Sequence, residues 1–492
     1  MKLNKLVIAC GMLFAASTGT QAFAVAPGPV QLLISGASAL EVSTQKAIAE
    51  MCTGTGTTAV PSPVLADPAL AIPAPPGGSA IPAGRTFFRS VSGGAGNAYR
   101  CTSKVGGNGP FAAAHIMDIR KRNAGGSSFG VVQVAATPTF PNGTPIGFTN
   151  PSSCTASGTI DFGGLRWNLM TNCADINLPP HAGVSDVEPE LFGQTTGLAK
   201  TPIVSQIFGI PVNDKLYVKL QAAQAIVPPA GQTFNPLYAP NLTYAEVRKL
   251  FTGIYNDWTL VDSTITPQIA TSSTFAKVCR RVPTSGTQAT INALLLNNPC
   301  GNGSFAGSLL PATNATDDNG SNEGAAAGAF APIAGTVGDV YTVVMNSGNG
   351  QVDACLTHAD VNNELAIGLL GTERISGAVP SDDADDTSST VVNDQWHYVK
   401  LNGFYPSVDN TIAGNYDLFA EATFNRRTSV VGYTADQLTL MTKLPILMGN
   451  PATIVSEGLL GLAAIPGGAY LPGVNYPTLK GSRNGNTCRP TT

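Results

Sequence analysis

One stretch of the chain sets a cation and two hydroxyls at the start of an apolar, helix-like run. Cys279 to Leu296 reads CRRVPTSGTQATINALLL, with Arg281 four residues ahead of Ser285-Gly286-Thr287. A helix start presents unpaired backbone N–H groups and a partial positive charge, which together attract anions. Gly286 lets an anion approach the backbone, and Ser285 and Thr287 add hydroxyl donors. Arg281 adds a planar fork suited to oxyanions. The plainer reading of these residues is a Ser/Thr helix cap beside a surface arginine, and S-G-T alone does not decide between them.

Two further helix starts carry the same chemistry. ISGASALEVSTQKAIAEMC has Gly36 and Ser38 between strand and helix, and NAGGSSFGVVQVA has Gly125, Gly126 and Ser127 before another candidate helix. Three such turns could converge on one small anion. Asp186, in PPHAGVSDVEPELF, is the odd member, because a carboxylate repels an anion. It makes sense if the ligand carries a proton: Asp186 would accept a hydrogen bond from a species such as hydrogen phosphate and repel fully ionised sulfate, molybdate or tungstate. Arsenate, protonated much like phosphate, passes the same filter. The plainer alternative makes Asp186 the N-cap of a short helix over 187–192.

These residues need strands and helices to hold them. PVQLLISG reads as a short buried strand and Ala39 to Cys52 as a helix. PIVSQIFGIPVND is a strand with its turn, AKVCRRV a strand leading into the Ser-Gly-Thr helix, and VYTVVMNSG and LAIGLL are further strands. LTYAEVRKLFTGIYNDW is a helix with a Thr243/Glu246 capping box and Gly253 at its C-terminal end. Strands alternating with helices predict an α/β fold with mostly parallel sheets. Residues 59–83, rich in Pro, Ala and Gly, and 136–180, loop-rich and bearing Cys154 and Cys173, read as insertions. VPSDDADDTSST is a solvated acidic loop whose spacing does not match an EF-hand.

The 492 residues allow two or three packed lobes. Only 12% are charged and the net charge is −4, which leaves no basic stripe for nucleic acid. Lys2 and Lys5, the apolar run Leu6 to Ser17 and the small residues Ala22 and Ala24 form an export signal over 1–24. VIAC at Cys10 is the alternative, a lipid-anchoring box. No later segment is long and apolar enough to span a membrane. Leaving Cys10 aside, eight cysteines in an oxidising compartment can form up to four disulfides, with Cys154–Cys173 and Cys279–Cys300 the expected local pairs. The four histidines show no metal spacing, and no metal or cofactor is expected. GSSFG over 126–130 fits the serine-hydrolase elbow, but polar DIRKRNAG precedes it where a buried strand belongs. A phosphatase would need a metal or nucleophile that the sequence does not offer, so the chain is expected to be a binding protein, not an enzyme.

With these segments in order, the sequence resembles the periplasmic phosphate-binding proteins of ABC phosphate uptake systems. ISGASA resembles the family's first-strand turn and GGSSFGV its second. GVSDVEP resembles the G-x-S-D segment, RVPTSGT the R-x-x-x-S-G-T segment, and the helix ending in Gly253 and Trp258 has its counterpart too. NSGNGQV, AIGLL and GFYPSVDNTIAGNYDL match more loosely, with Asp417 where the family has a proline. Ala39 stands where the family often has a bulky residue. The resemblance implies an α/β, two-lobe periplasmic-binding-protein-like fold of class II with a hinge of two crossing strands near IFGIPV and AIGLL. Residues 25–211 and 368–492 would form the first lobe and 212–367 the second. Inorganic phosphate would be held by Ser38, Ser127, Asp186, Arg281, Ser285, Gly286 and Thr287. The partner would be an ABC permease and the protein a periplasmic or secreted monomer; a cell-surface or matrix role on the same fold is the alternative.

Overall fold

The computed structural model describes residues 28–37, 40–54, 84–91, 96–270, 272–300, 341–374, 395–456, 462–465, 478–479 and 481–488. The expected export signal, Cys10, the proline-rich segment 59–83 and the acidic loop lie outside them. The fold is mixed α/β, organised on an eleven-stranded and a five-stranded sheet.

At the centre of the larger sheet, Val30–Gly36 pairs in parallel with Ile116–Arg122 on one side and Ala182–Ser185 on the other. Their carboxyl ends therefore meet at one edge. In the smaller sheet, Ala276–Arg281 pairs in parallel with Thr342–Asn346 and Leu365–Gly368. The carboxyl ends of parallel strands are where open α/β sheets bind ligands, because the chain leaves them in turns whose amides point outward.

Two strands pass between the sheets. Leu198–Gly209 runs through the larger sheet, and after Ile210 the chain enters the smaller one as Pro211–Asn213. Leu365–Gly368 of the smaller sheet leads through Leu369 to Leu370–Gly371, which returns to pair with Phe208 and Gly209. Trp396–Tyr398 then rejoins the smaller sheet against Pro211–Asn213.

Two buried clusters support this arrangement. One packs the helices Glu41–Met51 and Ala435–Met448 on the central strands of the larger sheet, through residues such as Ile34, Ile48, Leu440 and Leu444. The other surrounds the crossings, uniting Phe208, Ile210 and Val212 with Trp258, Ile291 and Ile367. The capping box expected at Thr243 and Glu246 forms, and Gly253 follows that helix with φ +69°.

Three expectations need correction. Most neighbouring strands of the larger sheet are antiparallel, because hairpins rather than helices connect its outer half. The region 136–180 is not loop-rich: Thr155–Phe162 and Leu165–Cys173 form a hairpin that extends the larger sheet. Gly163 and Gly164, both at positive φ (57° and 67°), make its two-residue turn, a pattern that favours a hairpin. Four disulfides join the described cysteines: Cys52–Cys101, Cys154–Cys173, Cys279–Cys355 and Cys300–Cys488. Cys154–Cys173 is as expected, but Cys279–Cys300 is not. Cys279 lies in a strand packed against the helix Asn349–Val361, which carries Cys355, and Cys300 lies beyond the end of the intervening helix.

Candidate anion site

The three turns at the edge of the larger sheet are locked by close backbone approaches. Gly36 has φ +112°, and a Cβ there would stand 1.9 Å from the Val184 carbonyl. A Cβ on Gly130 would stand 2.1 Å from the same oxygen, and one on Gly183 2.1 Å from the Gly130 carbonyl. The Ala37 N–H donates to Val184 O at 2.8 Å, and Ser35 Oγ donates to Phe129 O at 2.7 Å. Only glycines let the first turn, the second turn and the strand before Asp186 come this near to one another.

This packing brings Ser127 and Asp186 together. Ser127 Oγ donates to Asp186 Oδ2 at 2.7 Å and accepts from the Asp186 N–H at 3.3 Å. Both side chains are buried, with Asp186 5% exposed. Asp186 Oδ1 is buried too and, among the described residues, has no hydrogen-bond partner. Burial raises the Asp186 pKa, opposed by its bond from Ser127 and by the charges of Arg281 and Lys121. Asp186 does not cap a helix: the next helical turn, Pro189–Phe192, begins after Glu188.

The Ser-Gly-Thr turn comes to this pair from the smaller sheet. A Cβ on Gly286 would stand 2.4 Å from Ser127 Oγ and 2.7 Å from Asp186 Cβ and Oδ2, so the glycine backbone rests directly on the pair. The Ser128 N–H donates to Thr284 O at 3.0 Å. Ser285 occupies the N-cap position of the helix Gly286–Leu294, yet its side chain makes no capping bond, so the plain helix-cap reading fails there. Ser285 and Thr287 are buried. Arg281, 5% exposed, donates through Nη2 to Ser347 O at 2.9 Å and through Nη1 to Asn349 Oδ1.

The turns bearing Ser127, Asp186 and Gly286 thus meet between the sheet edges, with Arg281, Ser285 and Thr287 buried on the segment that carries Gly286; Ser38 lies outside the described residues. Sequence reasoning missed three neighbours. Lys121 is fully buried, and its ammonium donates to Gly36 O (3.0 Å), Ala37 O (2.9 Å) and Asn123 Oδ1 (2.6 Å). Burial lowers its pKa to about 8, opposed by Glu41 and Asp186. Asn349 and Glu373 are the others; burial raises the Glu373 pKa to about 7, and the charge of Asp186 adds to the rise. A lysine inside the buried strand IMDIRKR, directly before a glycine turn, was the available signal for Lys121. That strand is also the one held to be missing before GSSFG: Ile116–Arg122 is buried over its central five residues. The serine at the centre of that motif is Ser128, whose Oγ donates to Gly125 O at 3.3 Å, while its neighbour Ser127 donates to the Asp186 carboxylate.

No protein-family model matches the chain, and no curated protein matches it. Solved structures do. One is a phosphate ABC transporter substrate-binding protein, so assigned, from Clostridium perfringens with bound phosphate (13% identity, 57% of this chain, 79% of that one, TM-score 0.33). Others are an ABC-type phosphate transport receptor from Vibrio cholerae (13% identity, 57% and 79%, TM-score 0.30) and PstS from Borrelia burgdorferi (14% identity, 57% and 79%, TM-score 0.28). Among the described residues, no group of His, Cys, Asp and Glu could hold a metal ion, and no helix is long and apolar enough to cross a membrane.

Proposed function

We propose that the protein is an extracytoplasmic solute-binding protein that captures inorganic phosphate between two lobes, for uptake through an ABC permease. The first lobe is built on the larger sheet. The second is built on the smaller sheet and takes in Trp396–Tyr398 as well as 212–367. The observation that carries this reading is the buried Oδ1 of Asp186, without a partner among the described residues, beside Arg281 and a helix start that Ser285 does not cap with its side chain.

A buried acceptor without a donor is unfavourable by about 1–3 kcal/mol, so a ligand that supplies one is favoured. Phosphate's remaining P–OH supplies it, and sulfate has no proton to give. The other ligand oxygens would take the Gly286 and Thr287 amides, the Ser285 and Thr287 hydroxyls and the Arg281 guanidinium, so that the buried ion is surrounded by donors. Ser38 would add a hydroxyl from the first turn. The Ser127 hydroxyl has a single proton; it either stays on Asp186 or turns to the ligand. Lys121 contributes charge to the first turn while its own protons hold carbonyls.

Titration calorimetry on the mature chain is expected to show tight phosphate binding that sulfate does not compete away. Asp186→Asn replaces one acceptor by a donor, so it should let sulfate compete while lowering phosphate affinity less. Sulfate binding to the wild type, or unchanged selectivity in Asp186→Asn, would sink the reading.

A further inference from the structure

A hydrogen-bonded chain leads from the crossing strands to Arg281. Gln206, buried in the first crossing strand, donates through Nε2 to Glu373 Oε2 at 3.1 Å. Glu373 lies two residues beyond Gly371, where the second crossing ends, and its carboxylate folds over that glycine: a Cβ on Gly371 would stand 2.0 Å from Oε2. Glu373 Oε1 accepts from Asn349 Nδ2 at 3.2 Å. Asn349, the first residue of the helix Asn349–Val361, turns its Oδ1 to Arg281 Nη1.

The directions of these bonds are forced. A guanidinium only donates, so Asn349 must turn its oxygen to Arg281 and its amino group away. The amino group then requires an acceptor, and Glu373 supplies it. Glu373 has a second oxygen left for Gln206. The carboxylate thus sets the orientation of Asn349, and Asn349 sets that of the arginine fork. A fork must be aimed to bind a tetrahedral anion with two bonds.

Building on the proposed phosphate site, we propose that Asn349 and Glu373 are positioning residues for Arg281, forming a relay from both crossing strands that holds the guanidinium aimed at the ligand. Neither side chain need touch the anion. Because Glu373 is anchored where the chain passes between the sheets, a change at the crossings reorients Arg281, and ligand binding is sensed at the crossings in return.

The test is phosphate titration by calorimetry of the full mature chain carrying Asn349→Ala, Glu373→Ala, both together, and Glu373→Gln. Each alanine variant should bind phosphate about tenfold more weakly, as loss of a bond to a charged group's holder implies. The double variant should be no weaker than either single one, because both cut the same chain. Glu373→Gln should bind within about threefold of wild type: its oxygen keeps Asn349, and its amino group is met by the Gln206 Oε1, itself buried and without a partner among the described residues, once that amide turns over. A purely structural role predicts neither this rescue nor the non-additivity. Equal affinity in Glu373→Ala and wild type, losses that multiply in the double variant, or failure of Glu373→Gln to restore binding would each overturn the relay while leaving the phosphate site standing. A wild type that binds no phosphate overturns both.

Discussion

Asp186 and Glu188 are two residues apart, and both carboxylates are buried, at 5% and 1% exposure. Burial raises the pKa of each. Their surroundings then diverge. Both Glu188 oxygens are filled from the chain's own tail, by the Thr487 N–H at 2.7 Å and the Thr487 Oγ1 at 2.6 Å. Glu421 holds the same tail, taking Ser482 Oγ, the Arg483 N–H and the Gly485 N–H. Asp186 has one oxygen on Ser127 and the other facing no donor among the described residues. Burial of a carboxylate is therefore not what distinguishes a binding site. The difference is that one acceptor is satisfied from within and its near neighbour is left for something from outside.

The contrast can be broken most forcefully at Arg281, whose charge makes an unfilled buried carboxylate tolerable. Arg281→Ala should weaken phosphate binding by about 3–5 kcal/mol in calorimetry, since it leaves the anion short of its buried counter-charge. Unchanged affinity would mean that the anion binds elsewhere. Glu188→Ala should do the reverse. It strands two buried donors and should lower the unfolding free energy by about 2–4 kcal/mol in urea, with phosphate affinity within about threefold of wild type. A large affinity loss there would erase the distinction between the two carboxylates.

Gly286→Ala sharpens the comparison from the ligand side. Its Cβ would press on Ser127 and Asp186 but not on Glu188, so an affinity loss of about 1–3 kcal/mol is expected with the tail contacts intact. The smallest effect concerns a buried base. His397 stacks on Phe234 at 4.0 Å, and burial lowers its pKa from 6.5 to about 3. As pH falls below 6.5 the unfolded chain takes up the proton first, so this group's stability contribution is lost between about pH 6.5 and 3. His397→Gln removes that loss. The stability difference between wild type and variant should shift by about 1 kcal/mol in the variant's favour from pH 7 to pH 5.5, measured by urea unfolding. A pH-independent difference would show that His397 titrates normally.

The turns that meet here could be read from the chain because each is local. Ser285-Gly286-Thr287 follows a strand within one segment, and each glycine turn shows itself beside its own strand. The capping box at Thr243 and Glu246 is equally local. What could not be read depends on distance. Lys121 reaches carbonyls some 85 residues back, and Asn349 meets Arg281 across 68 residues. Cys279 finds Cys355 only because a strand and a later helix pack face to face. The hairpin over 155–173 was hidden for another reason. Thr155–Phe162 is an exposed outer strand, without the apolar alternation that marks a half-buried one, and only Gly163-Gly164 betrayed it.

The Cys300–Cys488 bond closes a ring of the chain with a sequence separation of 188, and Cys279–Cys355 overlaps it, beginning before the ring and ending inside. A single proteolytic nick anywhere between residues 301 and 487 therefore leaves one covalent molecule. Such a molecule would keep its mass on a gel without reductant and fall into two fragments once the cystines are opened, so digestion need not release the tail that secures Glu188 and Glu421.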